Sequence, residues 1–193
     1  RLLLKGSVHL QKRPELLAPA GNFEKLKAAV LYGADAVYLA GNACGMRAAA
    51  DNFTNEELIE AAKYAHERGV KVYVTVNTMP RTQEYAALEE YLKFLATSGI
   101  DAIIVSDLGV LALAKRVAPT LELHVSTQAS SVSLADVLAW RDLGAKRVVL
   151  ARELTMREVS AICKNKPEDT DIECFIHGAM CVSYSGRCLL SNY

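Results

Sequence analysis

Apolar residues occur along this chain in two alternating kinds of run. Short runs rich in β-branched residues alternate with longer runs in which apolar positions recur every three or four residues. This alternation is typical of repeated βα units around a parallel sheet. Six helices fit between seven predicted strands, at residues 15–20, 36–40, 70–77, 102–107, 121–127, 147–152 and 172–178.

Residues with strong preferences for helix ends mark the boundaries of these units. Asn22 precedes the first predicted helix, and Thr54 begins a capping box with Glu57 before the second. A glycine closes a helix just before the next strand at four places: Gly33, Gly69, Gly99 and Gly144.

Strict alternation of strands and helices predicts an α/β fold, a TIM-like (β/α) barrel truncated after about seven strands. A doubly wound sheet would carry a glycine fingerprint after its first strand, where this sequence reads APAGN. No eighth unit follows the seventh predicted strand before Tyr193, so we expect a C-terminal truncation. Residues 1–13 are predicted to be an N-terminal extension and residues 14–193 the barrel domain.

Composition and charge limit the classes of protein to which this chain can belong. The 193 residues are 51% hydrophobic, enough for one sizeable core, and 22 basic residues balance 22 acidic ones. The chain therefore has no net charge to attract nucleic acid or an acidic membrane. No apolar run approaches the length of a membrane span or signal peptide, and five cysteines do not suit a disulfide framework. We expect a cytoplasmic protein without membrane association.

Candidate functional residues follow the predicted strands. In a β/α barrel the reactive face lies at the carboxyl ends of the strands, and polar residues follow every strand here. Arg47 lies among small residues, a setting that favours anion binding. The predicted substrate-binding residues are Arg47, Asn77, Asp107, Ser126, Gln128 and Arg152, and the candidate catalytic residues are His124, Glu153 and His177.

Period-two alternation predicts which side chains point into the barrel. The predicted inward set is Glu122, His124, Ser126 and Gln128 in strand five and Glu173, Phe175 and His177 in strand seven. Cys174 would then point toward the helices and be a core residue.

Structural roles remain open for several of these residues. His124 can be a satisfied interior histidine, and Asp107 can be the N-cap of the following helix. Arg152 and Glu153 can form an ion pair that holds rim loops. For residues 126–128, the alternative to substrate binding is a structural role in hydrogen bonds within their loop.

The segment ECFIHGAMCVSYSGRC contains three cysteines, and two of them, Cys181 and Cys188, allow several kinds of chemistry. Cys181 could be a nucleophile with His177 as its base, or could pair with Cys188 in a disulfide. Zinc would need a fourth ligand beyond these three residues. An iron–sulfur cluster favours thiolates in a flexible loop containing glycine and serine, as here, but requires four of them.

The same segment resembles the signature of the collagenase-like peptidase family U32. The pattern E-x-F-x-x-G-A-M-C, followed by glycine and a second cysteine, carries the resemblance together with PELLAPAGN, GADAVYL, VNTMP, HVSTQA and LARELT. It covers nearly the whole chain from Pro14. Cys44 departs from the family pattern, since a bulkier apolar residue is expected in that loop.

The resemblance implies two activities. The family's historical label is protease, whereas similar members hydroxylate RNA pyrimidines, at the tRNA wobble uridine using prephenate or at a 23S rRNA cytidine. That group carries a 4Fe-4S cluster, and by resemblance Cys181 and Cys188 are its first two ligands, with two more beyond Tyr193. The fragment alone is thus expected to be inactive.

We favour iron–sulfur-dependent RNA hydroxylation as the function. The expected partners are tRNA or rRNA and a small carboxylate such as prephenate, held by Arg47 or Arg152. The alternatives are a collagenase-like peptidase and a non-catalytic subunit of a protein partner. Because the chain is neutral overall, we expect the region after Tyr193 to hold the RNA.

Overall fold

The computed structural model describes residues 13–42, 52–178 and 181–186. It contains one sheet of seven parallel strands in sequential order, each paired with the next along the chain. The sheet curls into a half-barrel, which confirms the predicted fold class. The strands are β1 (Leu17–Pro19), β2 (Ala36–Ala40), β3 (Lys71–Val76), β4 (Ala102–Val105), β5 (Glu122–Val125), β6 (Arg147–Val149) and β7 (Asp171–Glu173).

Within the described residues, six α-helices connect consecutive strands, as the periodicity predicts. Short 3-10 turns occur at Thr82–Glu84, Thr127–Ala129 and Tyr184–Gly186. The helices are α1 (Phe23–Leu31), α2 (Asn55–His66), α3 (Tyr85–Thr97), α4 (Leu108–Val117), α5 (Leu134–Asp142) and α6 (Met156–Asn165).

The predicted helix boundaries are confirmed in detail. Asn22 caps α1 by accepting a hydrogen bond from the N–H of Lys25, and Thr54 and Glu57 form the expected capping box of α2. The four glycines that precede strands all have positive φ, between +72° and +107°. A side chain would be strained there, so these glycines end the helices for a steric reason.

Side chains alternate between two apolar layers. On β3, Val72, Val74 and Val76 pack against the surrounding helices in the main core, while Tyr73 lies in a smaller cluster inside the half-barrel. That inner cluster also contains Ala36, Ala102 and Ile104. The inner surface also carries polar side chains, since Tyr73 contacts His124 and Glu15 there.

A cleft of about 1030 Å³ separates the first strand from the seventh. Its lining includes Glu15, Arg147 and Glu173 together with residues of β1 and the segment after β7. Among the described residues, no strand pairs with the outer edge of β1 or of β7.

The prediction for Cys174 was wrong. Its strand ends at Glu173, several residues before the predicted end, and Cys174 is exposed in the lining of the cleft. Only Ile172 of this strand packs on the main core. The inward alternation expected for Phe175 and His177 also fails, because both follow the end of the strand.

Three sequence-based predictions lie outside the described residues: Arg47 and Cys44 in the loop after β2, and Cys188 near the end of the chain. The same holds for the N-terminal extension up to residue 12. Within the described segments, none of the helices has the length and apolar character needed to cross a membrane.

Candidate active site

The carboxyl ends of the parallel strands form one rim, and hydrogen bonds connect neighbouring loops of this rim. The hydroxyl of Ser106 donates to the carbonyl of Asn77 at 3.1 Å, which joins the loops after β3 and β4. The N–H of Ser126 donates to the last carbonyl of β4 at 2.7 Å. The hydroxyl of Thr127 reaches the carbonyl of Leu150 at 3.1 Å. The rim is therefore held together by short contacts between successive loops.

Asp107 is the N-cap of α4. Its carboxylate accepts a hydrogen bond from the N–H of Val110 at 3.0 Å and another from the hydroxyl of Tyr85 at 3.3 Å. Burial and the adjacent negative charge of Asp107 raise the pKa of Tyr85. The structural role that the sequence allowed for Asp107, the N-cap of the following helix, is thus observed. A contact between Asp107 and substrate stays a prediction.

Ser126 and Gln128 lie at the start of the turn after β5. Ser126 is buried, and its Oγ accepts a hydrogen bond from the N–H of Gln128 at 3.2 Å. Gln128 is half-buried at the rim. This contact is the loop hydrogen bonding expected as an alternative, and binding of substrate by these residues stays a prediction.

Arg152 supplies a positive charge where the loop after β6 meets the segment after β7. Its guanidinium lies 4.1 Å from the ring centre of Phe175, a cation–π distance. Phe175 is 42% exposed, so this contact lies close to solvent. A half-buried guanidinium in this position can bind a carboxylate through two parallel hydrogen bonds.

Glu153 contacts the turn that follows β7. Its two carboxylate oxygens accept hydrogen bonds from the N–H and the hydroxyl of Ser185, at 2.6 and 2.7 Å. The hydrogen bond from the Ser185 N–H is the main reason that the pKa of Glu153 is lowered. Glu153 is therefore ionised at neutral pH, and its catalytic role stays a prediction.

Cys181 and His177 also lie after β7. Cys181 is half-buried and not in a disulfide, while His177 is exposed. A thiol in a loop at this rim suits a soft thiolate ligand of iron. The described residues contain no group of three or more His, Cys, Asp or Glu side chains placed to hold a metal ion. A cluster at Cys181 would thus need thiolates from outside the described segments.

His124 lies inside the half-barrel, as its alternation predicts. It is 1% exposed, and its ring meets the ring of Tyr73 edge-on with centroids 4.7 Å apart. Its Nε2 is 3.4 Å from a carboxylate oxygen of Glu122, and the tautomer with the proton on Nε2 can donate to that oxygen. Burial, and next the charge of Arg147, lower the pKa of His124 to about 3. The ring is neutral at pH 7.

Arg147 is the centre of an interior polar cluster that sequence reasoning missed. Its guanidinium donates to Glu15 at 2.6 Å and lies 3.4 and 3.5 Å from Asp171 and Glu173. The hydroxyl of Tyr73 donates to the same Glu15 oxygen at 2.8 Å.

Burial and charge together shift the pKa values of the two glutamates in this cluster in opposite directions. Burial alone would raise the pKa of Glu15, but hydrogen bonds from Arg147 and Tyr73, together with the charges of Arg147 and Lys71, outweigh burial and lower it. Burial raises the pKa of Glu173 more than Arg147 lowers it. Alternation in β3, where Lys71 and Tyr73 share the inward face, was the available signal for this cluster.

Comparison with known proteins identifies the family. The model of Peptidase family U32 matches residues 21–193. The chain belongs to this family. The U32 chain is 47% identical to tRNA hydroxylation protein P1 of Bacillus subtilis over 99% of its own length and 45% of that protein's.

Other relatives carry different names. The U32 chain is 39% identical to the 23S rRNA 5-hydroxycytidine C2501 synthase of Escherichia coli, over 93% of this chain and 27% of that protein. It is 38% identical to a collagenase of Porphyromonas gingivalis, over 92% and 44% respectively. The chain thus spans less than half the length of these curated relatives.

A solved structure supports the fold. The structure of a U32 peptidase superposes with a TM-score of 0.65 at 18% identity, over 85% of this chain and 70% of that one. At this identity the likeness concerns the course of the backbone and not the chemistry of the rim.

Proposed function

We propose that this U32 chain is the barrel portion of an RNA hydroxylation enzyme that modifies a tRNA uridine or a 23S rRNA cytidine. The observation that carries the proposal is its 47% identity, over 99% of the chain, to a protein named for tRNA hydroxylation. The rim at the carboxyl ends of the strands is where a β/α barrel performs its chemistry.

We further propose a 4Fe-4S cluster, with Cys181 and Cys188 as two of its ligands. Such a cluster supplies one-electron redox chemistry when bound. Cys181 supports this assignment because its thiol is half-buried, outside any disulfide and located at the rim. The remaining ligands would come from outside the present sequence.

We also propose that a small carboxylate binds at the rim, with prephenate as the hydroxyl source. Arg152 would bind it, since its guanidinium is already oriented by the ring of Phe175. Arg47 would be a second cation for the same anion. Because basic and acidic residues are equal in number, RNA contacts of this chain would be local rather than guided by net charge.

Proteolysis is the second candidate, favoured by the family name and by the collagenase relative. It would require a nucleophile activated by a base. Among the described residues, no histidine is hydrogen-bonded to a cysteine or serine, and the hydroxyl of Ser185 donates to Glu153. We therefore place RNA hydroxylation first.

Complementation tests the proposal. The full-length gene is expressed in a bacterial host that lacks its own tRNA and rRNA hydroxylation proteins, and hydroxylated uridine and cytidine are measured by mass spectrometry of digested RNA. We expect the wild type to restore one of them and Cys181→Ala to lose it. Cys163→Ala is the matched control, since Cys163 is an exposed thiol on α6.

Two further measurements separate the parts of the proposal. Protein purified without oxygen is assayed for iron and acid-labile sulfide, and the host is made unable to synthesise prephenate. Unmodified RNA together with cleavage of denatured collagen would exclude hydroxylation in favour of proteolysis. Restored RNA modification in the host without prephenate would exclude prephenate as the hydroxyl source and leave the rest of the proposal standing.

A further inference from the structure

Glu153 and Ser185 connect two rim loops that are 32 residues apart in sequence. Glu153 follows β6 and is exposed, whereas Ser185 is fully buried in the turn after β7. Both oxygens of the Glu153 carboxylate are used, one by the N–H and one by the hydroxyl of the same serine. Charge-assisted hydrogen bonds of this length are among the stronger ones in proteins.

Ser185 needs such support because its backbone is left-handed. Its φ of 49° and ψ of 26° lie in a region that residues other than glycine seldom occupy. Such a conformation persists where neighbouring groups hold it. The carboxylate of Glu153 supplies that hold by binding both polar groups of Ser185.

The position of Ser185 in the sequence gives this contact its significance. Ser185 comes four residues after Cys181 and three before Cys188. We propose that Glu153 is a positioning residue that fixes the loop carrying Cys181, here called the cysteine loop (residues 181–186). For the cluster this inference rests on the proposed function, whereas the restraint on the loop does not.

This role differs from general acid or base catalysis. A carboxylate whose two oxygens accept hydrogen bonds from one serine is held in place and is ionised at neutral pH. In metal centres, groups that hold the ligands in this way commonly affect metal affinity by roughly 10- to 100-fold. Glu153 would act on Cys181 through Ser185.

The chain provides a matched control for the experiment. Glu158 also accepts hydrogen bonds from the N–H and the hydroxyl of a single residue, Thr155, at 2.8 and 2.7 Å. That contact caps α6 and lies outside the cysteine loop. Glu153→Ala and Glu158→Ala therefore remove the same type of contact from two places.

The test uses the full-length protein and two kinds of measurement. The first, made without the cluster, is hydrogen exchange of residues 181–186 and the alkylation rate of Cys181. We expect Glu153→Ala to raise exchange at Ser185 about tenfold, as loss of a charged hydrogen bond predicts, and Glu158→Ala to leave it unchanged. Glu153→Asp, with a shorter side chain, should be intermediate.

The second measurement concerns the cluster after anaerobic reconstitution. Glu153→Ala should lose iron to a chelator roughly tenfold faster than wild type and alter its electron paramagnetic resonance spectrum, whereas Glu158→Ala should match wild type. Unchanged exchange and alkylation in Glu153→Ala would overturn the positioning role, whatever the iron content. If the wild type binds no iron but Glu153→Ala shows the expected increase in exchange, the cluster proposal is overturned and the positioning role is supported.

Discussion

Lowering the pH from 7 to 5 is expected to destabilise this protein through His124. The ring is 1% exposed, packs against Tyr73 and has a pKa of about 3 in the folded state. The charged and titratable groups around it are Glu15, Lys71, Tyr73, Glu122 and Arg147. In the unfolded chain the same ring has an ordinary pKa of about 6.5.

The sign and size of the effect follow from this difference. Between pH 6.5 and 3 the unfolded state binds a proton that the folded state does not, so stability falls as the pH falls. Proton binding favours the unfolded chain by about 2.0 kcal/mol at pH 5 and by about 0.2 kcal/mol at pH 7. His124 therefore accounts for a loss of about 2 kcal/mol between these pH values, as long as its folded pKa stays below about 4.

Urea unfolding followed by circular dichroism at pH 7, 6 and 5 measures this loss. The carboxylates around Arg147 also contribute to the pH dependence of stability. The wild type is therefore compared with His124→Phe, which keeps an aromatic ring against Tyr73 but cannot bind a proton. We expect the free energy of unfolding to fall by about 2 kcal/mol more in the wild type than in the variant. Equal losses in the two proteins would refute the assignment of a neutral, buried His124.

Three further changes test the packing around the rim and the interior. A Cβ at Gly109 would lie 2.1 Å from the hydroxyl of Tyr85, so Gly109→Ala should cost on the order of 1 to 3 kcal/mol of unfolding free energy. Adding Tyr85→Phe should recover much of it, and no recovery would contradict the steric explanation. Thr54→Ala removes the cap of α2 and should cost about 1 kcal/mol in the same assay, whereas Thr54→Ser should be nearly neutral. Arg147→Met leaves the half-buried carboxylates of Glu15 and Glu173 without their cation and should cost on the order of 3 kcal/mol of unfolding free energy, less if Glu15→Gln is added. An unchanged unfolding free energy in Arg147→Met would show that the Glu15–Arg147 pair adds nothing to stability.

The sequence allows much of the fold to be predicted because the signals are local. Asn22, Thr54 and the glycines before the strands act on the few residues beside them, and the structure shows each at the predicted helix end. Cys174 was misassigned since alternation was extended past Glu173, the last residue of β7. Alternation applies only while the strand lasts, and sequence patterns locate strand ends poorly.

The site was less predictable because its contacts join distant residues. The sequence indicates that Arg152 and Glu153 lie at the rim, but it does not indicate that Glu153 binds Ser185 in another loop. Similarly, nothing near Glu15 indicates its partner Arg147, which is 132 residues away. The positions of polar groups follow from the βα pattern, whereas their pairing depends on how far the sheet curls.

The sequential strand order also bears on how the chain folds. Paired residues of neighbouring strands are separated by 19 residues between Leu17 and Ala36 and by 35 between Ala36 and Lys71, so each pairing closes a short loop. Such a sheet can grow one strand at a time as the polypeptide leaves the ribosome. The Glu15–Arg147 contact can form only after the sixth strand has been made. It would therefore be a late step in folding, one that fixes the curvature of a sheet already assembled from its amino-terminal side.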